Sequence, residues 1–442
     1  LTLSASPSFA TNGYFSHAAS TAQKGTAGAG VAHGGDILSL STNPASLIQA
    51  KSGWEVGAAL FSPSRDYASN GLPSAVIDTT CSTSPCPFSI GDGNQNIKSK
   101  NAVFAVPQFA VAWQIDDSSA LAFSVLAHGG MNSKYQGGSA LLPNAQSKNV
   151  QLDGTYGNGT TGVDLAQMFL GLTYAKQFAA QNVSVGISGF MAYQTFEATG
   201  LGNFAGFSSD PSKLTNNGTD SASGFGVRIG LQFQPSANLS FGASYQPQIK
   251  MNKFNDYSGL FAQQGRFDIP ATWVLGTSYA VNNSAHLLFD VQHIAYADTA
   301  AVGNPINPLL NGSCTPSSTG GDGAGCLGAH SGAGFGWSNM TVYKLGYEWS
   351  NDNVNTWRVG YSKAEQPIPS SELLFAILAP GVIEQHFTLG FGRKIDSNSH
   401  FDLSLMYAPE KSVSGVNNFD PGQTITVKMS QVELAATYSV GF

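Results

Sequence analysis

Few residues of this chain could do chemistry, and those few are scattered. His128, His286, His293, His386 and His400 could act as bases. An enzyme would need a nucleophile within reach of one of them, on the same or an adjacent strand. No Gly-x-Ser-x-Gly elbow or Ser/His spacing stands out, so the sequence does not read as an enzyme. Gly28-x-Gly30 looks like part of a dinucleotide loop, but no apolar strand precedes it and no Lys/Thr phosphate pair follows. No cofactor is expected. Cys81 and Cys86 stand five apart, and Cys314 and Cys326 twelve apart, in stretches rich in Ser, Pro and Gly. A zinc site would want a nearby His or a second close pair. Two local disulfides in an oxidising compartment fit better, with no metal site. Arg228, Lys344 and Arg358 remain, cations that could receive the carboxylate of a ligand.

The elements that must hold these residues follow from composition and period. The 442 residues include 20 Lys+Arg and 27 Asp+Glu, so charge makes up only 11% of the chain. Soluble globular domains average about 25%. A disordered chain would have fewer aromatics than 27 Phe, 15 Tyr and 6 Trp. A nucleic-acid binder would be basic, whereas the net charge is −7. A helical membrane protein needs apolar runs of about 20 residues, and the sequence has none. An all-β protein whose surface needs little charge is left.

From residue 54 onward the hydrophobic period is two. Phe225, Val227, Ile229, Leu231 and Phe233 alternate with Gly226, Arg228, Gly230 and Gln232. Such runs predict fourteen strands, at 54–67, 102–115, 119–131, 164–177, 182–198, 222–234, 238–252, 269–281, 285–297, 338–350, 354–364, 383–395, 399–411 and 428–442. Gaps of three or four residues, such as 116–118 and 396–398, alternate with gaps of about 15 to 40 residues. Strict alternation with an even strand count is the pattern of an outer-membrane barrel, with tight turns in the periplasm and long loops outside. The expected fold is an all-β, 14-stranded antiparallel transmembrane β-barrel. A soluble propeller would show more surface charge and a blade-length repeat.

If the large apolar residues face lipid, Glu55, Arg228, Asp290, Lys344, Glu348, Arg358, Glu384, Asp402 and Glu433 face the lumen. They either form a network bracing the wall or contact cargo. The other inward residues are mostly Gly, Ala, Ser and Thr, which leaves a wide lumen to fill. The Ala/Gly/Ser-rich residues 11–50 are the candidate filling, a hatch or plug ahead of a barrel at 51–442. Residues 1–10 end in Ser8-Phe9-Ala10, like the small-residue end of a signal peptide, and are read as its remnant. Finding Leu1 by N-terminal sequencing of exported protein would overturn that. Two stretches outside the strands are apolar enough for capture. Phe204, Phe207 and Leu214 lie in the third outer loop, and Phe254, Tyr257, Leu260 and Phe261 follow at helical spacing in the fourth. They either form a docking groove or pack on each other as a loop core. Leu374, Phe375, Ile377 and Leu378 in the sixth loop could line a pocket. In the third strand, His128-Gly129-Gly130 marks a kink or bulge, or merely the strand's end.

The sequence resembles the FadL/TodX family of outer-membrane transporters for hydrophobic compounds. The resemblance rests on Thr11-Asn12-Gly13-Tyr14-Phe15, the run Gly25 to Ala32, and Asn43-Pro44-Ala45 near the N-terminus. It continues at Phe267-Asp268-Ile269-Pro270-Ala271, Ile377-Leu378-Ala379-Pro380-Gly381, His386-Phe387-x-Leu389-Gly390 and the terminal Phe442. The resemblance implies a hatch gated around Tyr14, Phe15, Asn43, Pro44 and Ala45. It implies capture of a hydrophobic ligand among the outer loops, transfer to a barrel pocket, hatch rearrangement and lateral release at a third-strand kink. Long-chain fatty acids are the favoured cargo, with aromatic or alkane hydrocarbons, or a general diffusion porin, as alternatives. The partners would be the ligand, outer-membrane lipid and lipopolysaccharide, around a monomer with both termini periplasmic.

Overall fold

The computed structural model describes residues 12–80, 88–144, 146–178 and 182–442. Residues 1–10, Cys81 and Cys86 therefore lie outside the described residues. Fourteen antiparallel strands, each paired with its chain neighbours, form the wall, and a short strand Asn94–Lys98 adds to the outer end of the first of them. They are β1 (Gly53–Asn70), β2 (Phe104–Asp116), β3 (Ser119–Tyr135), β4 (Thr161–Phe178) and β5 (Val183–Thr199). Next come β6 (Asp220–Ser236), β7 (Leu239–Gln246), β8 (Thr272–Asn282), β9 (Ala285–Ile294) and β10 (Met340–Ser350). The last are β11 (Asn355–Ala364), β12 (Gln385–Lys394), β13 (Ser399–Asn417) and β14 (Asp420–Gly441). β14 pairs with β1 from Gly53↔Gly441 to Asn70↔Thr424 and closes the ring.

The period-two pattern builds this wall. On β6, Val227, Ile229, Leu231 and Phe233 point outward and are exposed, while Arg228 and Gln232 point inward and are buried. A closed wall with a belt of exposed large apolar side chains is a surface that faces lipid. No helix among the described residues is long and apolar enough to cross a membrane. The tight turns are set by short polar side chains that cap their own backbone. Asp116 accepts hydrogen bonds from the Ser119 and Ser118 hydroxyls and the Ser118 N–H, which hold its carboxyl down to about 2. Asp396 does the same for Ser399 and Asn398.

Three of the departures from the sequence expectation have a plain physical reason. β7 stops at Gln246 rather than 252, and β8 starts at Thr272 rather than 269. Pro247 and Pro270 lie just outside these ends, and proline cannot donate to a ladder. The thirteenth gap is no long loop, because β13 and β14 run on to a tight turn at Asn417–Asp420. Ser412, Ser414, Thr424 and Thr426 occupy outward positions of that hairpin, so no outward apolar stripe marks it; on β14 the apolar alternates Ile425, Val427 and Met429 face inward instead.

Candidate functional site

The N-terminal segment bonds to strands spread around the whole ring, so it lies inside the barrel. α1 (Thr21–Gly25) is capped by the Ser20 side chain, which accepts from the Gln23 N–H. The Lys24 ammonium at its end meets Glu433 of β14 at 2.6 Å, with both side chains at most 2% exposed. Asp290 of β9 accepts the Gly30 and Val31 N–H groups at 2.8 and 2.9 Å. Glu55 of β1 accepts the Leu38 N–H at 2.9 Å. Thr388 of β12 accepts from Ala27 and donates to the Gly25 carbonyl, both at 2.9 Å. Asn43 caps the 3₁₀ turn Pro44–Gln49 by accepting the Ala45 N–H at 3.0 Å. Its amide also donates to the carbonyls of Val31 and of Leu231 on β6.

The inward glycines are the other half of this fit. A methyl added at Gly230 would overlap the Asn43 amide oxygen, and one at Gly390 would press on the Gly25 Cα at 2.9 Å. Gly230→Val should therefore unseat Asn43–Pro44. Raised protease sensitivity of the segment in folded barrels would report it, and protection equal to the parent's would contradict the fit.

The three inward cations are all engaged. Arg358 bonds Glu348 at 2.5 Å and Asp402 at 2.7 Å, a bracing triad across β10, β11 and β13. Arg228 donates to the Ser41 carbonyl and to Gln246. Lys344 donates to the carbonyls of His17 and Gly28 at 3.3 and 3.2 Å. Arg228 and Lys344 line a 70 Å³ interior cavity with His17, His128 and Phe169, and no carboxylate borders it. Arg358 instead borders a cavity of 960 Å³ at the turn end of the barrel, lined by charged and apolar side chains together. Glu384 pairs with Lys411 at 2.8 Å near the loop end.

Tyr14 and Phe15 are fully buried at the level where the wall is broken. β3 pairs with β2 only as far as Gln108↔Leu126, although both strands run on toward the loops. Pro107 stands where the next pair would form, and a proline in a strand withholds its donor. His128 is the bulged residue, since Ala127 pairs with Met168 but Gly129 with Gln167. The edge of β3 that β2 leaves is taken by the N-terminal segment. Ser16 donates to the His128 carbonyl at 3.2 Å and Gly130 to the Tyr14 carbonyl at 3.0 Å. The Phe15 ring lies 4.4 Å from His128, which stacks on Phe169 at 4.1 Å, which stacks on Phe190 at 4.4 Å.

Over the loop end lies an apolar cap. Phe204, Leu214, Leu260, Phe261, Phe375 and Leu378 line a cavity of about 30 Å³ in it. Phe254, Tyr257, Leu374 and Ile377 are fully buried beside it, and Phe207 is partly buried. These residues pack on each other and do not stand as a solvent-facing groove. Nor is there a helix across 254–261: one 3₁₀ turn (Asn255–Tyr257) is followed by Gln263 and Gln264 at φ 57° and 64°. Cys314 and Cys326 are bonded. The adjoining Leu327 bonds Phe207 and Ser209 and so ties the fifth loop to the third.

Sequence reasoning passed over Lys24, Arg65, Pro107, Tyr296 and Trp337. Arg65 shares the inward parity of Glu55, and Pro107 interrupts an otherwise regular strand, so both carried a signal. Tyr296 and Trp337 carried none. They lie in a long loop and reach Tyr14 only in space, at ring distances of 5.2 and 6.0 Å.

The comparisons agree with this architecture. The crystal structure of the Pseudomonas putida toluene transporter TodX covers 99% of this chain and 100% of its own, with 17% identity and a TM-score of 0.60. A Pseudomonas aeruginosa FadL homologue gives 14% identity, 97% and 100% coverage, and a TM-score of 0.62. The Ralstonia pickettii toluene transporter TbuX gives 16%, 95% and 97%, and 0.58. At such identities these establish the fold. A search of curated proteins finds no match. The family model for outer membrane protein transport proteins (OMPP1/FadL/TodX) matches residues 2–442. The chain therefore belongs to the FadL/TodX family of outer-membrane transporters of hydrophobic compounds.

Proposed function

We propose that this protein takes up hydrophobic small molecules, foremost long-chain fatty acids, and releases them sideways through the break between β2 and β3. Cargo is captured in the apolar cap around Phe204, Phe261 and Phe375. Residues 11–50 act as the hatch, and Tyr14 and Phe15 form its gate. The observation that carries the reading is the unpaired β3 edge at His128–Gly130, held by Tyr14 and Ser16. Displacing those two residues frees the edge and the route together. The turn-end cavity is lined by Asp36, Glu55, Arg358 and Asp402, a poor path for apolar cargo. Sideways release into lipid avoids it. The cationic, acid-free interior cavity beside the gate favours cargo with a carboxylate.

A second reading, uptake of flat aromatic hydrocarbons, is favoured by the His128–Phe169–Phe190 stack, on which a ring could replace Phe15. A general diffusion pore is disfavoured by the filled lumen. On either transport reading the protein works as a monomer among outer-membrane lipid and lipopolysaccharide, with both termini periplasmic.

Gly129→Val tests the route. Its Cβ would stand 2.5 Å from the Tyr14 carbonyl oxygen, so the valine displaces that carbonyl but fills the vacated gap itself and keeps the route blocked. Oleate uptake by cells lacking their own fatty-acid transporter should fall about tenfold, roughly a 1.4 kcal/mol barrier. Unchanged uptake would remove the break from the route. Purified protein should bind oleate more tightly than toluene, and the reverse order would hand the cargo to the aromatic reading.

A further inference from the structure

The outer part of the wall break contains a buried cation that neither the gate nor the interior cavity uses. Arg65 of β1 is 3% exposed. Its two terminal nitrogens donate to the carbonyls of Asn132 on β3 and Asn101 just before β2. Its guanidinium also lies 5.4 Å from the Phe104 ring, at the start of β2. One side chain thus spans both sides of the break, beside a direct Asn101–Asn132 side-chain bond at 2.9 Å and just short of the Lys100–Lys134 backbone bond at 2.8 Å. No carboxylate stands within ion-pair distance of it among the described residues. Tyr135 and the carboxylate of Asp164 act on it electrostatically from farther off.

Two buried donors at this place have no acceptor. They are the Arg65 Nε–H and the indole N–H of Trp337, which is 1% exposed. Both residues border one small cavity, of about 10 Å³, together with Tyr14, Met131 and Gly381. Buried donors are almost always satisfied, and one left bare costs about 1–3 kcal/mol. Two orphaned donors on one cavity, with a cation and no acid, make a receptor for an oxyanion. The cavity has room for about one water, so a larger group enters only when Tyr14 moves. It lies next to the cap along the chain: Leu378 borders the cap cavity, and Ala379 borders this one.

We propose that Arg65 and Trp337 form an exit-side site for the anionic head of an amphiphilic carboxylate. As cargo passes the break, its carboxylate takes the orphaned N–H groups and replaces the two backbone carbonyls on Arg65. The staple across the break is then released by the cargo that needs it open. Arg65 is thereby a specificity residue, favouring acids over neutral hydrocarbons. The inference rests on the lateral-exit reading.

The test compares uptake of oleate with that of methyl oleate, the same chain without the charge, in cells carrying the full-length protein. Arg65→Met should lower the oleate to methyl oleate ratio about tenfold, as expected for a lost charge-assisted bond. Methyl oleate uptake should hold or rise, because one of the links across the break is gone while the Asn101–Asn132 bond remains. Trp337→Phe, which removes the N–H, should lower the ratio about threefold. An unchanged ratio in either variant that still transports methyl oleate overturns the assignment, and means that water satisfies these donors. If Arg65→Met fails to assemble, Trp337→Phe decides alone. The two readings fail separately. If Gly129→Val leaves both cargoes unaffected, the lateral route fails. If Gly129→Val slows both equally and the ratio ignores Arg65, only the Arg65 site fails.

Discussion

Glu433→Gln is expected to turn a closed barrel into a leaky one. The Lys24–Glu433 pair is almost fully buried, and it joins the helix at the heart of the N-terminal segment to the last strand of the wall. Removing one partner of a buried pair strands the other charge, at a cost of about 3–5 kcal/mol. Each 1.4 kcal/mol is about a tenfold change in population, so the seated state should lose about two to three and a half orders of magnitude against unseated ones. The wall has its own hydrogen-bond ladders and should assemble normally. Single-channel conductance in planar bilayers should show frequent large openings in the variant and few in the parent. Lys24→Met combined with Glu433→Leu should close the barrel again, because an apolar pair of similar volume carries no stranded charge. A single variant as tight as the parent would mean that Asp290, Glu55 and Asn43 hold the segment without this pair.

Phe204→Ser together with Phe261→Ser should abolish capture while sparing the barrel. Both rings line the cap cavity and pack into aromatic clusters, Phe204 with Phe375 at 5.4 Å and Phe261 with Phe196 at 4.6 Å. A fully buried aromatic is worth about 1.5–3 kcal/mol of transfer free energy. If the ligand replaces these ring contacts with its own chain, losing both weakens binding by about 3–6 kcal/mol, or more than a hundredfold. Oleate binding to purified protein should read this. The heat-dependent gel shift of a folded barrel should stay unchanged, because no strand residue has been altered. Parent-like affinity in the double variant would show that the cap only covers the barrel and takes no part in capture.

How much was legible in the sequence varies with the kind of residue. The wall was legible because one face of each strand meets lipid and the other does not. That difference writes a period of two into Val227, Ile229, Leu231 and Phe233, and a scarcity of charge into the whole chain. The tight turns were legible for a similar local reason, as Asp116 and Asp396 cap their own backbone. Where strands rise past the lipid, as in Ser412–Ser414 and Thr424–Thr426, the outward face turns polar while Val413, Ile425 and Val427 face the interior, so the outward stripe disappears. The inward side of Arg228, Lys344 and Arg358 followed from parity, but what each holds did not.

The sequence by itself determined the barrel, the low charge, the small inward residues that leave room, and an N-terminal segment unlike the strands. Only the tertiary structure decided that Lys344 and Arg228 clasp backbone carbonyls of that segment while Arg358 braces the wall. Only it decided that the apolar outer loops are a packed cap, and that Tyr14–Ser16 complete the edge β2 abandons beyond Leu126. The reason is distance along the chain. A strand's period is a relation between residues two apart. Tyr14 meeting Tyr296, or Lys24 meeting Glu433, joins positions 282 and 409 apart. No local pattern encodes such meetings until the ring closes and puts them in one place.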